Sequence, residues 1–146
     1  MSRKRILIVD DDAVVVKALT FKLEAKGYEV LGANDVSAAL RLVRSENPDL
    51  LIVDINLPAD AAWATTMAWD GFTLLRWLER LHEDWQKPVV IITADDPAKH
   101  QERLRQAGVV ACFQKPVNTE ELLAVLRQVL GESRPSSASP QSSQVG

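Results

Sequence analysis

Three short apolar runs limit what this chain can fold into: "ILIV" at 6–9, "LLIVDI" at 50–55 and "VVIIT" at 89–93. They lack polar alternation and are rich in β-branched side chains, as strands covered on both faces are. "YEVLG" at 28–32 and "ACFQ" at 111–114 are less uniformly apolar and suit edge strands. Helical patterns fill the gaps. Val15, Leu19 and Leu23 form a stripe that predicts a helix ended by Gly27. Residues 37–45 predict a short second helix closed by "NPD", and Leu74, Leu78, Leu81 and Trp85 share one face of a third. Asp96-Pro97 supplies the cap and first position of a fourth helix that Gly108 closes, and Asn118 with Glu121 caps a fifth. This alternation predicts an α/β fold of (βα)5 type, a parallel sheet with helices on both faces.

The chain has 146 residues, close to the size of one domain of about 150. Residues 1–130 read as that domain. Residues 131–146, "GESRPSSASPQSSQVG", offer almost nothing to bury and predict a disordered tail or linker. A net charge of −3 gives no basic footprint for direct nucleic-acid binding or an anionic membrane surface. The single cysteine, Cys112, excludes an intramolecular disulfide and points to a reducing compartment. No run approaches the about 18 consecutive apolar residues of a membrane span, and "ILIV" is too short for a signal-peptide core. The expectation is a soluble, cytoplasmic protein.

In an open parallel sheet the ligand site lies beyond the carboxyl ends of the strands. At those ends stand Asp10, Asp11 and Asp12, then Asp54, then Thr93, then Lys115. Clustered carboxylates repel and raise one another's pKa. A hard divalent cation among them removes the repulsion, and Mg²⁺ prefers such oxygen ligands. Lys115 adds a positive charge and Thr93 a hydroxyl, so the rim can hold the three anionic oxygens of a phosphoryl group. Phosphoryl transfer needs positioning, charge neutralisation and an in-line oxygen nucleophile, and a carboxylate can be that nucleophile.

With those residues in place, "ILIVDDDA", "LLIVDINLP", "DGFTLL", "VVIITAD" and "FQKP" together resemble the response-regulator receiver domains of two-component signalling. The resemblance runs in order from about Arg3 to Leu130. It implies a doubly wound five-stranded sheet of flavodoxin-like order 2-1-3-4-5. It also implies that Asp54 accepts a phosphoryl group from a histidine kinase or histidine phosphotransfer protein, which switches the binding of an output partner. Asp10 and Asp11 resemble the acidic pair that binds Mg²⁺, Asp11 directly and Asp10 through water, with the backbone carbonyl of Asn56 as a further ligand. Thr93 resembles the switch hydroxyl, and Lys115 the lysine that pairs with the phosphoryl group. The Lys115–Pro116 peptide is expected to be cis, and Asp12 to cap a helix. Such a module is a signalling phosphoacceptor rather than an enzyme, and a second copy of the chain is an open partner.

The sequence departs from that family in two places. The segment "ADAAWATTMAW" at 59–69 fills a loop that is usually a couple of residues long. Trp63 and Met67 lie one turn apart there, which predicts either a packed helical extension or, with Trp69, a lid or docking surface. Cys112 occupies the position three before Lys115 where the family usually carries Tyr or Phe, and the neighbouring Phe113 is the aromatic. His82 and His100 sit among charged residues and read as solvated groups.

A function of another class is a Mg²⁺-dependent phosphatase of haloacid dehalogenase type, with Asp10 as nucleophile and Asp12 as acid/base. The missing later acidic pair and cap domain weigh against it, and trapping the phosphorylated residue separates the two. The chain also reads as a receiver fragment of a longer regulator or hybrid kinase, with 131–146 as linker.

Overall fold

The computed structural model describes residues 3–55, 74–76, 78 and 87–131. The expected metal carbonyl of Asn56, the 59–69 segment, and Leu81, His82 and Trp85 lie outside the described residues, as does the tail from 132 onward. The three apolar runs become strands β1 (Arg5–Val9), β3 (Leu50–Asp54) and β4 (Val89–Thr93). β3 and β4 are buried along their whole length, and β1 beyond Arg5. Strands β2 (Glu29–Ala33) and β5 (Ala111–Gln114) are only partly buried and form the two edges. All pairings are parallel, in the order β2-β1-β3-β4-β5.

Because strand side chains alternate between faces, each run feeds two apolar layers. Ile6, Ile8, Leu50, Ile52, Val90 and Ile92 pack with α1 (Ala13–Glu24) and α5 (Thr119–Leu130). Leu7, Val9, Leu51, Val53, Val89 and Ile91 pack with α2 (Val36–Glu46) and with Leu74, Leu75 and Leu78 of α3, of which residues 74–76 and 78 are described. On this second side lies α4 (Gln101–Ala107), which contributes Leu104 and Ala107, both partly exposed.

Capping residues set the helix starts as expected. The Val14 N–H donates to Asp12 Oδ1 at 2.9 Å, and the Glu121 N–H to Asn118 Oδ1 at 3.1 Å. Gly108 ends α4 with φ of 69°. Two boundaries differ from expectation. Helix α1 stops at Glu24 with Ala25 as C-cap, and Gly27, at φ 96°, serves the turn after it. The fourth helix begins as a 3₁₀ turn, Pro97–His100, capped by Asp96, and becomes α-helical only at Gln101. Tyr28 precedes β2 rather than opening it, yet its side chain is buried in the α1/α5 layer.

At the amino ends of the strands, Arg5 ties the layers together. Its Nη1 donates to Glu46 O at 2.8 Å, its Nε lies 3.4 Å from Glu29, and its N–H donates to Asp49 Oδ2 at 2.8 Å. The opposite rim is left to the acidic residues. Among the described residues no helix is long and apolar enough to cross a membrane.

Candidate phosphoryl and metal site

The three consecutive aspartates are divided among three tasks by the turn that leaves β1. Asp10 continues the sheet, its N–H donating to Ala33 O at 3.0 Å. Its Oδ1 accepts the Asp12 N–H at 2.8 Å, which keeps the Asp10 carboxylate inward and fully buried. Asp12 then points outward to cap α1, as expected. Asp11 remains exposed at the rim, and its carboxylate, with those of Asp10 and Asp54, forms a set whose oxygens lie within 4.8 Å of one another.

Strand parity brings in the cation. Ile8, Ile52 and Phe113 belong to the α1/α5 layer, and Asp10, Asp54 and Lys115 follow them by two residues on the same side of the sheet. Lys115 Nζ stands 2.9 Å from Asp10 Oδ2 and donates to Asp54 Oδ2 at 3.1 Å. The approach to Asp10 is an ion contact without hydrogen-bond alignment, so among the described residues Asp10 Oδ2 lacks an aligned donor.

These contacts shift two titrations. Burial, with the Asp54 charge adding to it, pushes the Asp10 carboxyl above its usual range, although the Asp12 N–H and Lys115 pull the other way. Burial alone would lower the Lys115 ammonium, but its two carboxylate partners outweigh that and raise it. One ammonium against three carboxylates leaves excess negative charge on a buried rim. All-oxygen donors, an exposed carboxylate at the entrance and an incompletely satisfied buried oxygen fit a hard divalent cation.

Thr93 stands on the same rim, fully buried, but two residues after Ile91 it takes the parity of the α2–α4 side. Its carbonyl accepts the Lys115 N–H at 2.7 Å, which couples the ends of β4 and β5. The Lys115–Pro116 peptide is cis, as expected. Cys112 packs partly buried on the α2–α4 side, where burial raises its thiol pKa, whereas Phe113 packs in the α1/α5 layer. Phe113 therefore does not fill the place left by the small Cys112 side chain.

The expectation for His100 needs correcting. Its side chain is only 19% exposed, and Nε2 lies 3.4 Å from Asp95 Oδ2. The 3₁₀ turn begun by Pro97 brings the two together across five positions, a contact that helical spacing does not anticipate.

The chain matches the family model of the response regulator receiver domain over residues 6–127. The polar-differentiation response regulator DivK of Brucella ovis is 30% identical over 130 residues, covering 89% of this chain and 98% of that protein. A CheY-like receiver domain protein from Methanospirillum hungatei superposes with a TM-score of 0.73 at 31% identity, over 90% of this chain and 97% of the other. The chemotaxis protein CheY4 of Vibrio cholerae superposes at 0.74 with 25% identity, over 88% and 99%. With strand order, acidic rim and lysine all in agreement, the chain belongs to the response-regulator receiver-domain family.

Proposed function

We propose that this chain is a phosphoacceptor of two-component signalling, with Asp54 taking a phosphoryl group from a phosphohistidine in the presence of Mg²⁺. The observation that carries the reading is Lys115 Nζ bridging the buried carboxylates of Asp10 and Asp54 at the rim. In the transfer, an Asp54 carboxylate oxygen forms the new bond to phosphorus. The donor P–N bond breaks, and the departing imidazole nitrogen takes up a proton. Lys115, already beside Asp54, meets the charge on the phosphoryl oxygens, and Thr93 donates its hydroxyl to another. Asp10, Asp11 and Asp54 would hold a Mg²⁺ ion at this rim, with the Asn56 carbonyl expected as a further ligand, and the ion would supply the remaining charge neutralisation. The chemistry is self-modification rather than turnover of a separate substrate.

A partner surface adjoins the site. Val14 and Phe21 on α1 are 74% and 77% exposed, and a groove of about 260 Å³ runs from Lys115 and Pro116 between Val14, Ala18 and Val117. It suits the apolar face of a helix carrying the donor histidine, on a histidine kinase or phosphotransfer protein. Residues 1–130 form the receiver unit in this reading, with 131–146 as tail or linker. Borohydride trapping after incubation with acetyl phosphate and Mg²⁺ tests it. The label should sit on Asp54 and vanish in Asp54→Ala, while the variant keeps its fold. Label on Asp10 would point to the phosphatase chemistry instead, and undiminished label in Asp54→Ala sinks the assignment.

A further inference from the structure

A chain of contacts leads from the rim to the start of the loosely packed fourth helix. The Asp95 N–H donates to Thr93 Oγ1 at 3.0 Å, and Asp95 Oδ2 lies 3.4 Å from His100 Nε2. We propose that Asp95 and His100 are positioning residues for the Thr93 hydroxyl. His100 holds the Asp95 side chain in place, and the Asp95 backbone in turn fixes the hydroxyl oxygen. The inference rests on the phosphoacceptor reading of Asp54.

The chemistry of a hydroxyl makes this arrangement useful. Thr has one proton to donate and two lone pairs to accept with. The Asp95 bond engages a lone pair, and a phosphoryl oxygen needs the proton. The bond thus sets where the oxygen stands without using the group the reaction calls on. Such an anchor matters at Thr93 because it follows Ile91 by two residues, whereas Asp54 and Lys115 follow Ile52 and Phe113 of the other layer, so strand alternation alone does not aim its hydroxyl at Asp54.

Packing does little to fix the segment on which the Asp95 link depends. No side chain from Pro97 through Ala107 is fully buried, so apolar contacts hold this segment weakly. Polar links set its shape instead. Asp96 Oδ1 accepts the Ala98 N–H at 3.0 Å, Gln114 Nε2 reaches Ala94 O at 3.5 Å, and the Asp95–His100 pair bridges loop and turn. Of these links, the pair with His100 is the one that belongs to Asp95 itself.

Beryllofluoride binding to the full chain in saturating Mg²⁺ tests the proposal. His100→Ala should weaken it about fivefold, the size expected for one partly exposed hydrogen-bonded contact, and leave Mg²⁺ affinity unchanged. His100→Gln, whose amide nitrogen can stand where Nε2 stands, should recover most of the loss. In a Thr93→Ala background, His100→Ala should add nothing further. The proposal is overturned by unchanged or tighter beryllofluoride binding in His100→Ala, by an equal loss of Mg²⁺ affinity, by a Gln variant no better than Ala, or by a loss that persists without Thr93. A wild-type chain that bound no beryllofluoride would overturn the Asp54 reading as well. Wild-type binding with an indifferent His100→Ala variant overturns this inference alone.

Discussion

At Asp10 a carboxylate is fully buried beside a second buried carboxylate, with one ammonium shared between them. Folding raises its pKa, so the folded state holds the Asp10 proton more tightly than the unfolded chain does. By linkage this group favours folding at low pH, and its contribution falls away as pH rises from the unfolded value of about 4 through the raised folded value. At neutral pH and without metal, ionised Asp10 therefore weakens the fold. Asp10→Asn keeps an oxygen for the Asp12 N–H and leaves Lys115 paired with Asp54 at 3.1 Å, so no charge is stranded. In chelator at pH 7 the variant should be more stable than wild type by on the order of 1 kcal/mol, with the gap narrowing as pH falls. Urea titrations at several pH values measure it. A variant less stable than wild type at pH 7 would show that the lysine contact outweighs the burial cost. The acidic cluster was legible in the sequence because its members directly follow two apolar runs, at 6–9 and 50–53. The His100–Asp95 contact was not, because it depends on how tightly the backbone winds after Pro97.

Among elements, α1 best shows how neighbouring residues of one type acquire different roles. Asp12 caps the helix through Val14, while Asp11 lies exposed with its oxygen in the acidic set. Removing an N-cap costs about 1 kcal/mol, whereas removing an exposed carboxylate from a like-charged cluster costs little or nothing. Asp12→Ala should therefore lower stability by about that amount and leave Mg²⁺ affinity nearly unchanged. Asp11→Ala should do the reverse. Chemical denaturation and Mg²⁺ titration on both variants separate the roles, and a loss of Mg²⁺ affinity in Asp12→Ala equal to that in Asp11→Ala would refute the division. The caps Asp12, Asp96 and Asn118 could be read in advance, since each precedes a helical pattern and has a side-chain acceptor of the right length. The end of α1 could not. Gly27 marks the φ > 0 turn, but the hydrogen-bond ladder ends earlier: the Ala25 N–H to Phe21 O bond is its last i→i−4 rung, and the Lys26 N–H turns to Leu23 O.

Across the whole molecule, strand existence followed from composition, but strand order did not, because a buried apolar run carries no record of its neighbour. The order β2-β1-β3-β4-β5 was expected from the family resemblance, and the pairings bear it out. That order puts β1, β3 and β4 in the interior between two apolar layers, and sends β5 and α4 to the margin. Stability should be distributed accordingly. Helix α5 buries Leu122, Leu123 and Leu126, while α4 buries no residue completely and is seven residues long. Short helices with little apolar burial open locally at a fraction of the global free energy. In native-state hydrogen exchange, amides of β1, β3 and β4 should exchange only through global unfolding, and those of 101–107 through local opening, at least tenfold faster than those of α5 (about 1.4 kcal/mol). The Asp95 amide joins that weak segment to the Thr93 hydroxyl. Binding of Mg²⁺ with beryllofluoride should therefore slow exchange in 95–107 more than in α2, on the far side of β1. Protection of α4 equal to that of α5 in the free chain would remove the case for a loosely held element beside the site. Slowing spread evenly over both helices would show that the ligand stabilises the sheet as a whole rather than this margin.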